Sequence, residues 1–319
     1  MGNGEGLRQV LRQAGRKLTL VDVGARWGVN PNWAGLEDQT RIICFEPDPT
    51  ECERLRANAP PNIIYAQTAL AEANGPMPLW ITVDPACTSR YRPHDTLVAT
   101  YPALTVMRPK ECIELEARSL DDVLASEGLP APDVIKLDTQ GSELDILRGA
   151  AGNLAGCSAI DVEVEFSALY EGAHVFADVD AFLRGHGFSL WKFVDIVHHE
   201  TRIAGIGNPV MVYGDGGRCV SADVGPGRLF WGQAHYVRTE MLPENFGDFC
   251  INGRSKADAY AAIGAVALLG DLDLAIAMTA ALDGVPAAEA LSRVLTPREP
   301  RTLLHRIARK ARRLLSRQG

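Results

Sequence analysis

The sequence lacks the marks of secreted, membrane-spanning and zinc-binding proteins. No charged start followed by an apolar core and a small-residue cleavage site opens the 319-residue chain, so we expect no secretory signal. The longest apolar run, from Ala259 to Gly270, is too short to span a bilayer. The seven cysteines are odd in number, scattered and without any Cys-x-x-Cys pair, which favours reduced thiols and predicts no zinc site. Together these absences favour a cytoplasmic protein.

Positive charge is scarce outside residues 301–319. The whole chain has 32 Lys and Arg against 40 Asp and Glu, which gives a net charge of -8. Residues 301–319 hold seven of these bases and no acid, so the remainder carries 25 bases against 40 acids, a net charge of -15. Such an acidic body argues against a nucleic-acid partner.

The basic tail has the pattern of an amphipathic helix over residues 301–317. Its apolar residues fall on one helical face, and these are Leu303, Leu304, Ile307, Ala311, Leu314 and Leu315. A helix of this kind can lie on an anionic membrane or dock on an acidic partner, which allows peripheral contact with the inner face of the membrane. It can equally pack on the acidic body of its own chain, and the sequence leaves both alternatives open.

Aliphatic runs of strand length alternate with helical patterns over residues 18–239. The predicted strands are Leu18–Val23, Arg41–Glu46, Asn62–Gln67, Asp133–Asp138, Ala159–Phe166, Phe188–Val194 and Pro209–Tyr213. The predicted helices are near Pro49–Ala57, Leu120–Glu127, Ser142–Asn153 and Phe176–His186. Seven strands with intervening helices predict an α/β fold with a doubly wound, mostly parallel sheet.

Three further segments flank or interrupt this domain. A helix is predicted within residues 1–17. Residues 75–117, which we call the flap, are rich in proline and turn residues and contain two strand-like runs. A loop this long is usually functional or structured, so we expect a β-rich insertion over the ligand edge of the sheet. Residues 240–319 are rich in alanine and aliphatic residues, which predicts packed helices that end in the basic segment.

Charged residues lie at the junction between the fourth predicted strand and the helix that follows it. Lys136 and Asp138 lie two residues apart and therefore share one face of the strand Asp133–Asp138. Both charges are costly to bury unless they are paired or used. Open α/β sheets bind ligands at the carboxyl ends of their strands. We therefore expect a functional role for Asp138, and for Lys136 either such a role or a structural ion pair.

A glycine motif, Asp22-Val23-Gly24-Ala25-Arg26-Trp27-Gly28, ends the first strand. The Gly-x-Gly-x-x-Gly spacing that seats a pyrophosphate is absent, which disfavours a nucleotide-dependent oxidoreductase. A ligand without phosphates fits better. S-adenosylmethionine is such a ligand, because Asp22 can serve its sulfonium cation and Glu46, at the end of the second strand, can bind its ribose hydroxyls. Alternatively, Glu46 and Asp48 only cap the helix that begins near Pro49.

Several short motifs between Thr19 and Arg238 form a set that is hard to obtain by chance. They are Val21–Ala25, Phe45–Pro47, Cys87–Ser89, Ser119–Asp122, Ile135–Gly141 with Glu143, and Glu163–Phe166 followed by Leu169 and Tyr170. This set resembles the FkbM-like family of S-adenosylmethionine-dependent methyltransferases. Many members have Gly-Ala-Asn-x-Gly where this chain has Gly24-Ala25-Arg26-Trp27-Gly28, so the role of Arg26 is open. The resemblance implies the Rossmann-like class I methyltransferase fold and, commonly, O-methylation of sugars or of hydroxyls on polyketide-type molecules.

With this resemblance, S-adenosylmethionine is the expected cofactor. The residues expected to bind it are Asp22, Gly24, Ala25, Gly28, Glu46, Pro47, Ala69 and Asp138. Methyl transfer to an alcohol is an in-line displacement, in which orientation supplies most of the acceleration and a base takes the proton. We expect Asp138 to orient or deprotonate the hydroxyl and Lys136 to set the position of that carboxylate. Glu165 is a second candidate for the base.

Other residues are expected to contact the acceptor. They are Thr88, Ser89, Gln140, Glu163, Tyr170 and His174, of which Thr88 and Ser89 alternatively only stabilise a turn. Asp161, Glu163 and Glu165 share a strand face. For the two glutamates, substrate contact, pairing with Lys136 or an arginine, and metal binding together with Asp138 all remain open. His198, His199 and His235 are weaker candidates for a base.

The leading interpretation is an O-methyltransferase acting on a hydroxyl of a sugar, glycolipid, polysaccharide or related secondary metabolite in the bacterial cytoplasm. The expected partner is therefore a small-molecule or glycan acceptor. Two alternatives remain from the sequence. One is a nucleotide-dependent oxidoreductase, and the other is a catalytically silent methyltransferase-like module that binds partners in the assembly of an envelope glycan.

Overall fold

The computed structural model describes residues 3–30, 33–201, 213–214, 218–219, 227–251 and 254–295. Within them the strands are, in chain order, β1 Leu18–Val23, β2 Thr40–Phe45, β3 Ile63–Ala66, β4 Ala69–Leu70, β5 Gly75–Thr82, β6 Pro109–Arg118, β7 Val134–Leu137, β8 Ala159–Glu165, β9 Phe188–His199, β10 Tyr213–Gly214, β11 Arg218–Cys219 and β12 Arg228–Arg238. The α-helices are α1 Asn3–Gln13, α2 Pro49–Arg56, α3 Asp95–Thr100, α4 Leu120–Ser126, α5 Glu143–Arg148, α6 Phe176–Gly185, α7 Phe246–Ile251, α8 Lys256–Leu268, α9 Leu272–Asp283 and α10 Val285–Leu295. No helix within these ranges is long and apolar enough to cross a membrane, and the predicted basic helix over 301–317 lies outside the described residues.

Seven of the described strands form the main sheet, in the order β3-β2-β1-β7-β8-β12-β9. The first five are parallel, and β12 is antiparallel to both β8 and β9. The prediction of a doubly wound, mostly parallel sheet is confirmed. Because neighbouring parallel strands end at the same edge of a sheet, the loops that follow β1, β2, β7 and β8 meet there.

The seventh strand of the sheet is not the one that the sequence predicts. The predicted segment Pro209–Tyr213 lies almost wholly outside the described residues, and β12, which we did not predict, fills the position between β8 and β9. The preceding Gly225-Pro226-Gly227 indicates a loop, and Gly232 weakens the strand pattern. In the sheet, a Cβ on Gly232 would lie 2.5 Å from the carbonyl oxygen of Asp195, so the close approach of β9 requires glycine there.

The other elements depart from the predictions mainly at their ends. The helix predicted to run to Asn153 stops at Arg148, because glycines at 149 and 152 weaken the helix beyond that point. The flap contains the two predicted strand-like runs as β5 and β6, which join β4 in a small sheet of order β4-β6-β5. The flap also contains α3, which the sequence analysis did not predict.

Two hydrophobic cores cover opposite faces of the main sheet. One joins the sheet to α1, α8 and α9, and the other joins it to α4, α5 and α6. In the first core, α8 approaches α1 so closely that a Cβ on Gly264 would lie 2.7 Å from Cδ2 of Leu11. The buried Trp33 donates from Nε1 to the carbonyl oxygen of Leu268 at 3.1 Å. The C-terminal helices therefore share a core with the sheet.

Candidate active site

Charged residues from neighbouring parallel strands meet at the carboxyl edge of the sheet. Asp22 on β1 lies in register with Lys136 on β7, and Lys136 lies in register with Asp161 on β8. Glu46 and Asp138 directly follow β2 and β7. The structure thus brings these side chains to one edge, as their positions at strand ends predict.

Gly24 brings the loop after β1 onto the end of β7. Its φ is +82°, and a Cβ on it would lie 2.0 Å from the carbonyl oxygen of Asp138, so no side chain fits here. The backbone N–H groups of Gly24 and Ala25 both donate to the carbonyl oxygen of Phe45, at 3.2 and 3.3 Å. Gly28, with φ +95°, completes the turn. The loop is therefore fixed between the ends of β2 and β7, and a ligand can approach its main chain closely.

Lys136 forms its ion pair with Asp22. The Nζ atom lies 3.2 Å from Oδ1 of Asp22, whose side chain is 1% exposed. Burial disfavours the cation, but the neighbouring carboxylates, Asp22 first, outweigh burial and raise the pKa of Lys136 above its ordinary value. The partner expected for Lys136 is thus corrected from Asp138 to Asp22, because the parallel register places Asp22 directly opposite it.

The second carboxylate oxygen of Asp22 lacks a partner. Among the described residues, Oδ2 of Asp22 is buried and accepts no hydrogen bond. Burial raises the pKa of Asp22, and the cation of Lys136 opposes that shift. A buried, unpartnered carboxylate oxygen costs free energy unless a ligand or a water completes it. This oxygen therefore marks a position for a cationic or hydrogen-bond-donating group of a ligand.

Glu46, which follows β2, is 3% exposed. Its Oε1 accepts a hydrogen bond from the backbone N–H of Asp48 at 2.9 Å, whereas Asp48 itself caps α2 by accepting from the N–H groups of Thr50 and Glu51. The capping alternative therefore applies to Asp48 and not to Glu46. Arg26 lies beside both acids, with Nη2 3.2 Å from Oδ2 of Asp48 and Nη1 3.9 Å from Oε1 of Glu46. Burial raises the pKa of Glu46, and the bond from Asp48 partly offsets that shift.

These features fit S-adenosylmethionine. The unpartnered Oδ2 of Asp22 can face a cationic group of the cofactor, and Glu46 can accept from its ribose hydroxyls. Gly24 allows the cofactor to lie against the main chain. Of the other residues expected at the cofactor, Pro47 follows Glu46 directly and Ala69 is buried in β4.

Gln140 connects the acidic side chains at the ends of β7 and β8. Its Nε2 donates to Oδ1 of Asp138 at 3.1 Å and to Oε2 of Glu163 at 2.8 Å. Its Oε1 accepts from the hydroxyl of Tyr170 at 3.0 Å. Burial, and after it the carboxylate of Asp138, raise the pKa of Glu163 well above its ordinary value. Four of the predicted residues thus form one hydrogen-bonded group.

The flap lies over this group. Oγ of Ser89 donates to the carbonyl oxygen of Gln140 at 2.6 Å, and the hydroxyl of Tyr170 lies 3.2 Å from the carbonyl oxygen of Cys87. Thr88, between them, is half-buried, and its hydroxyl has no hydrogen-bond partner in the part of the chain that the structure describes. Thr88 therefore presents a free hydroxyl beside the loop that follows β7.

Glu143 and Glu165 bind the backbone around the same loop. Glu143 accepts from the N–H of Thr139 at 2.7 Å through Oε1 and from the N–H of Gly141 at 2.9 Å through Oε2. Burial raises the pKa of Glu143 to about 7. Oε2 of Glu165 accepts from the N–H of Leu169 at 3.1 Å, while its buried Oε1 has no partner among the described residues. Glu165 thus supports the backbone here, and its role as a second base stays a prediction.

The acids on β8 have partners other than lysine and arginine. Asp161 accepts from Nε2 of Gln233 at 2.5 Å and lies 3.5 Å from Nε2 of His235. Within the described ranges, neither Glu163 nor Glu165 forms an ion pair with a lysine or an arginine, and no group of three or more His, Cys, Asp and Glu is placed to hold a metal ion. Contact with a substrate therefore stays a prediction for Glu163.

The candidate histidines differ in their surroundings, and among the described residues Nδ1 of His198 and Nε2 of His199 are buried without a hydrogen-bond partner. His235 is buried, with Nδ1 2.9 Å from Oδ2 of Asp271, the residue before α9. Nε2 of His174 lies 3.6 Å from Oδ1 of Asp145 on α5, so His174 lies beside that helix, and its contact with the acceptor stays a prediction. Burial lowers the pKa of His199 to about 4, which makes it a weak base.

Three residues that hold the flap were not predicted from the sequence. Asp145 is 4% exposed on α5, and its Oδ2 accepts from the hydroxyl of Tyr91 at 2.7 Å and from Nη1 of Arg90 at 3.1 Å. Burial, together with the bond to Asp145, raises the pKa of Tyr91 to about 12. The available signal is an acid within the apolar stretch Leu144-Asp145-Ile146-Leu147, which predicts a buried carboxylate that needs partners.

The chain is similar to known methyltransferases. The model of the methyltransferase FkbM domain matches residues 22–190. The hexuronic acid methyltransferase AglP of Haloferax volcanii is 26% identical over 166 residues, which cover 51% of this chain and 62% of that protein. The 2-O-methyltransferase NoeI of Sinorhizobium fredii is 26% identical over 162 residues, which cover 48% of this chain and 65% of that protein. The chain thus spans less than two thirds of the length of either relative.

Among solved structures, magnesium protoporphyrin IX methyltransferase (ChlM) of Synechocystis PCC 6803 with bound S-adenosylmethionine overlaps with a TM-score of 0.33 at 10% identity. The overlap covers 74% of this chain and 80% of that one.

The domain match extends over more than half of the chain, from the acid that ends β1 to the start of β9. It includes the strand ends that form the candidate site, together with the flap and the loop after β7. The family indicated by the sequence and its cofactor, S-adenosylmethionine, are thereby confirmed. The chain belongs to the FkbM methyltransferase family.

Proposed function

We propose that the chain is an O-methyltransferase that transfers a methyl group from S-adenosylmethionine to a hydroxyl of a sugar, in a glycan, a glycolipid or a related metabolite. The observation that carries the proposal is the contact between the loop after β1, which we assign to the donor, and the end of β7, which we assign to the acceptor. Gly24 lies in the loop after β1, residues 24–28, which we call the donor loop, and packs against the backbone of Asp138, whose carboxylate belongs to the group bonded by Gln140. One relative is a hexuronic acid methyltransferase and the other a 2-O-methyltransferase, which supports a sugar hydroxyl as the acceptor.

The donor side needs only binding and orientation. When bound, S-adenosylmethionine supplies an electrophilic methyl group on a sulfonium centre. Asp22 faces the cationic part of the donor with its free Oδ2, and Glu46 accepts from the ribose hydroxyls. Lys136 pairs with the other oxygen of Asp22, and its cation opposes the rise that burial causes in the pKa of that carboxylate.

Asp138 orients the acceptor hydroxyl and accepts its proton. Gln140 holds Oδ1 of Asp138, which directs the other carboxylate oxygen to the substrate. In-line transfer requires the acceptor oxygen opposite the methyl–sulfur bond, and most of the acceleration comes from that placement. The carboxylate takes the hydroxyl proton as the new carbon–oxygen bond forms.

Glu163 and Thr88 bind neighbouring oxygens of the acceptor. The raised pKa of Glu163 favours its neutral form, which limits repulsion with Asp138 and leaves an O–H that can donate to a sugar oxygen. The free hydroxyl of Thr88 can donate or accept on the flap side. Several such polar contacts suit a polyhydroxylated acceptor better than an apolar one.

A labelled-donor screen tests the proposal. The full chain is incubated with methyl-labelled S-adenosylmethionine and a panel of neutral sugars, uronic acids and their lipid-linked forms, and products are analysed for O-methyl ethers. Label in a sugar O-methyl group supports the proposal.

Calorimetry with S-adenosylmethionine and with NAD, measured in parallel, separates the alternatives. Binding of NAD without binding of S-adenosylmethionine overturns the proposal in favour of an oxidoreductase, and donor binding without a labelled product overturns it in favour of a silent module.

A further inference from the structure

Gln140 has an unusual backbone conformation. Its φ is +59°, and it is the only residue other than glycine with a positive φ among the described residues. A side chain strains this left-handed conformation, which persists only where the surroundings over-determine it. The hydroxyl of Ser89 on the flap donates to the carbonyl oxygen of Gln140 at 2.6 Å and so fixes the peptide group in this position.

The side-chain amide of Gln140 is fully used within the protein. The two N–H bonds of Nε2 are directed to Asp138 and Glu163, and Oε1 accepts from Tyr170. The opposite orientation of the amide would turn its oxygen toward the carboxylate oxygen of Asp138, which places two acceptors against each other, so the hydrogen bonds define which atom is nitrogen. With both donors occupied, the side chain has none left for a substrate.

The flap reaches Gln140 through Tyr170 as well as through Ser89. Tyr170 is fully buried, and its hydroxyl lies within hydrogen-bond distance of both Oε1 of Gln140 and the carbonyl oxygen of Cys87. The backbone beside Tyr170 is tied to the flap by bonds from the N–H of Glu171 to the carbonyl oxygen of Arg92, and from the N–H of His94 to that of Leu169, both at 2.8 Å. The position of the flap and the position of Gln140 are therefore linked.

We propose that Gln140 is a positioning residue that holds the carboxylate of Asp138 toward the acceptor and couples that carboxylate to the docked flap. This inference rests on the proposed function, since it assigns Asp138 to the acceptor hydroxyl. It differs from the expectation that Gln140 binds the substrate. The flap then does more than cover the site, because its docking fixes the residue that orients Asp138.

The substitution Gln140→Glu tests the positioning role at nearly constant shape. It replaces two N–H donors by a carboxyl group beside Asp138, so we expect kcat to fall about 10- to 100-fold, the scale of loss when a reacting group is misplaced. The loss of donors and the added negative charge both favour protonated Asp138. The acidic limb of the pH profile of kcat/KM should therefore move to higher pH, and Gln140→Met, which removes the donors to Asp138 without adding charge, should move it in the same direction by a smaller amount.

The groups that face Asp138 in this titration come from each neighbouring element. They are Asp22 on β1, Lys136 on β7, Asp161 and Glu163 on β8, Glu143 on α5 and Cys87 on the flap. None of these residues is substituted in the variant.

Gln13, which is exposed on α1, provides the matched control. Gln13→Glu should leave kcat and the pH profile of kcat/KM as in the wild type.

A measurement without an acceptor keeps this inference separate from the proposed function. The carboxyl carbon of Asp138 is titrated by NMR in protein labelled at aspartate, and its signal is assigned by its absence in Asp138→Asn. We expect its titration to move to higher pH in Gln140→Glu, and in the same direction by a smaller amount in Ser89→Ala combined with Tyr170→Phe. An unmoved titration in Gln140→Glu overturns the positioning role, and an unmoved titration in the flap variant overturns the coupling. Absence of sugar methylation with these shifts present overturns the proposed function alone.

Discussion

Among single residues, Asp22 is distinctive because its two carboxylate oxygens have different surroundings. Oδ1 pairs with Lys136 at 3.2 Å, and Oδ2 is buried without a partner among the described residues. The ion pair with Lys136 offsets part of the free-energy cost of burying the carboxylate beside the donor loop. The unpartnered oxygen is available to a ligand. We therefore propose that Asp22 combines a structural role with binding of the donor.

The substitution Asp22→Asn should weaken binding of S-adenosylmethionine by about 10- to 100-fold, the range that corresponds to a hydrogen bond to a charged group. The measurement is calorimetry on protein whose folding has been checked by circular dichroism. Because Asp22→Asn alone leaves Lys136 buried without a counter-charge, the double variant Asp22→Asn with Lys136→Met is measured as well. Asp38, which is exposed, supplies the control Asp38→Asn. Donor affinity equal to that of the wild type in both Asp22 variants would contradict this role.

At the scale of the element, the flap is fastened to the sheet by side chains far apart in sequence. Tyr91 and Arg90 both bond to the buried carboxylate of Asp145 on α5, while Ser89 bonds to the loop after β7. Since α5 begins directly after that loop, the same short stretch of chain carries Asp138 and holds the flap over it. A loosened flap should therefore impair the acceptor side first.

Removal of the Tyr91 hydroxyl in Tyr91→Phe should loosen the flap, because Asp145 loses a partner that it cannot replace with water while buried. We expect faster amide hydrogen exchange across the flap and a higher KM for the acceptor, with donor affinity retained. Tyr260→Phe is a matched control, since the hydroxyl of Tyr260 donates to Asp283 away from the flap. Equal exchange in Tyr91→Phe and the wild type would show that Asp145 does not hold the flap.

The sequence predicts the secondary-structure elements better than it predicts which side chains contact each other. Leu18–Val23 carries its own strand pattern, so β1 and the acid at its end are predictable from local residues. The partner of Lys136 is 114 residues away along the chain, and the choice of Asp22 depends on the register between β1 and β7. Gln140 is likewise predicted only as a contact to the acceptor, because its bonds to Glu163 and Tyr170 join residues that are 23 and 30 positions away along the chain. Strand β12 is missed because Gly232 weakens the local pattern while serving a contact with β9.

In the molecule as a whole, the two cores hold the strands of the main sheet, and the carboxyl edge of that sheet carries the candidate site. The C-terminal helices and α1 pack on one face of the sheet, and α4 to α6 pack on the other, so the strands are held rigidly between them. The residues that we propose for the donor, at the ends of β1 and β2, and those that we propose for the acceptor, at the ends of β7 and β8, are thereby kept at a fixed separation. Methyl transfer depends on that fixed placement more than on any one strong contact.

The central claim is that Asp138 acts on the acceptor hydroxyl, and the most direct test compares Asp138→Asn with the wild type. Turnover of the acceptor found in the screen is measured at saturating S-adenosylmethionine, with donor affinity determined by calorimetry to separate binding from turnover. Asp273→Asn, at an exposed position on α9, is the control and should retain full turnover. We predict that Asp138→Asn lowers turnover by at least roughly 100-fold, a loss typical of acid–base catalysis. Turnover equal to that of the wild type would contradict the account.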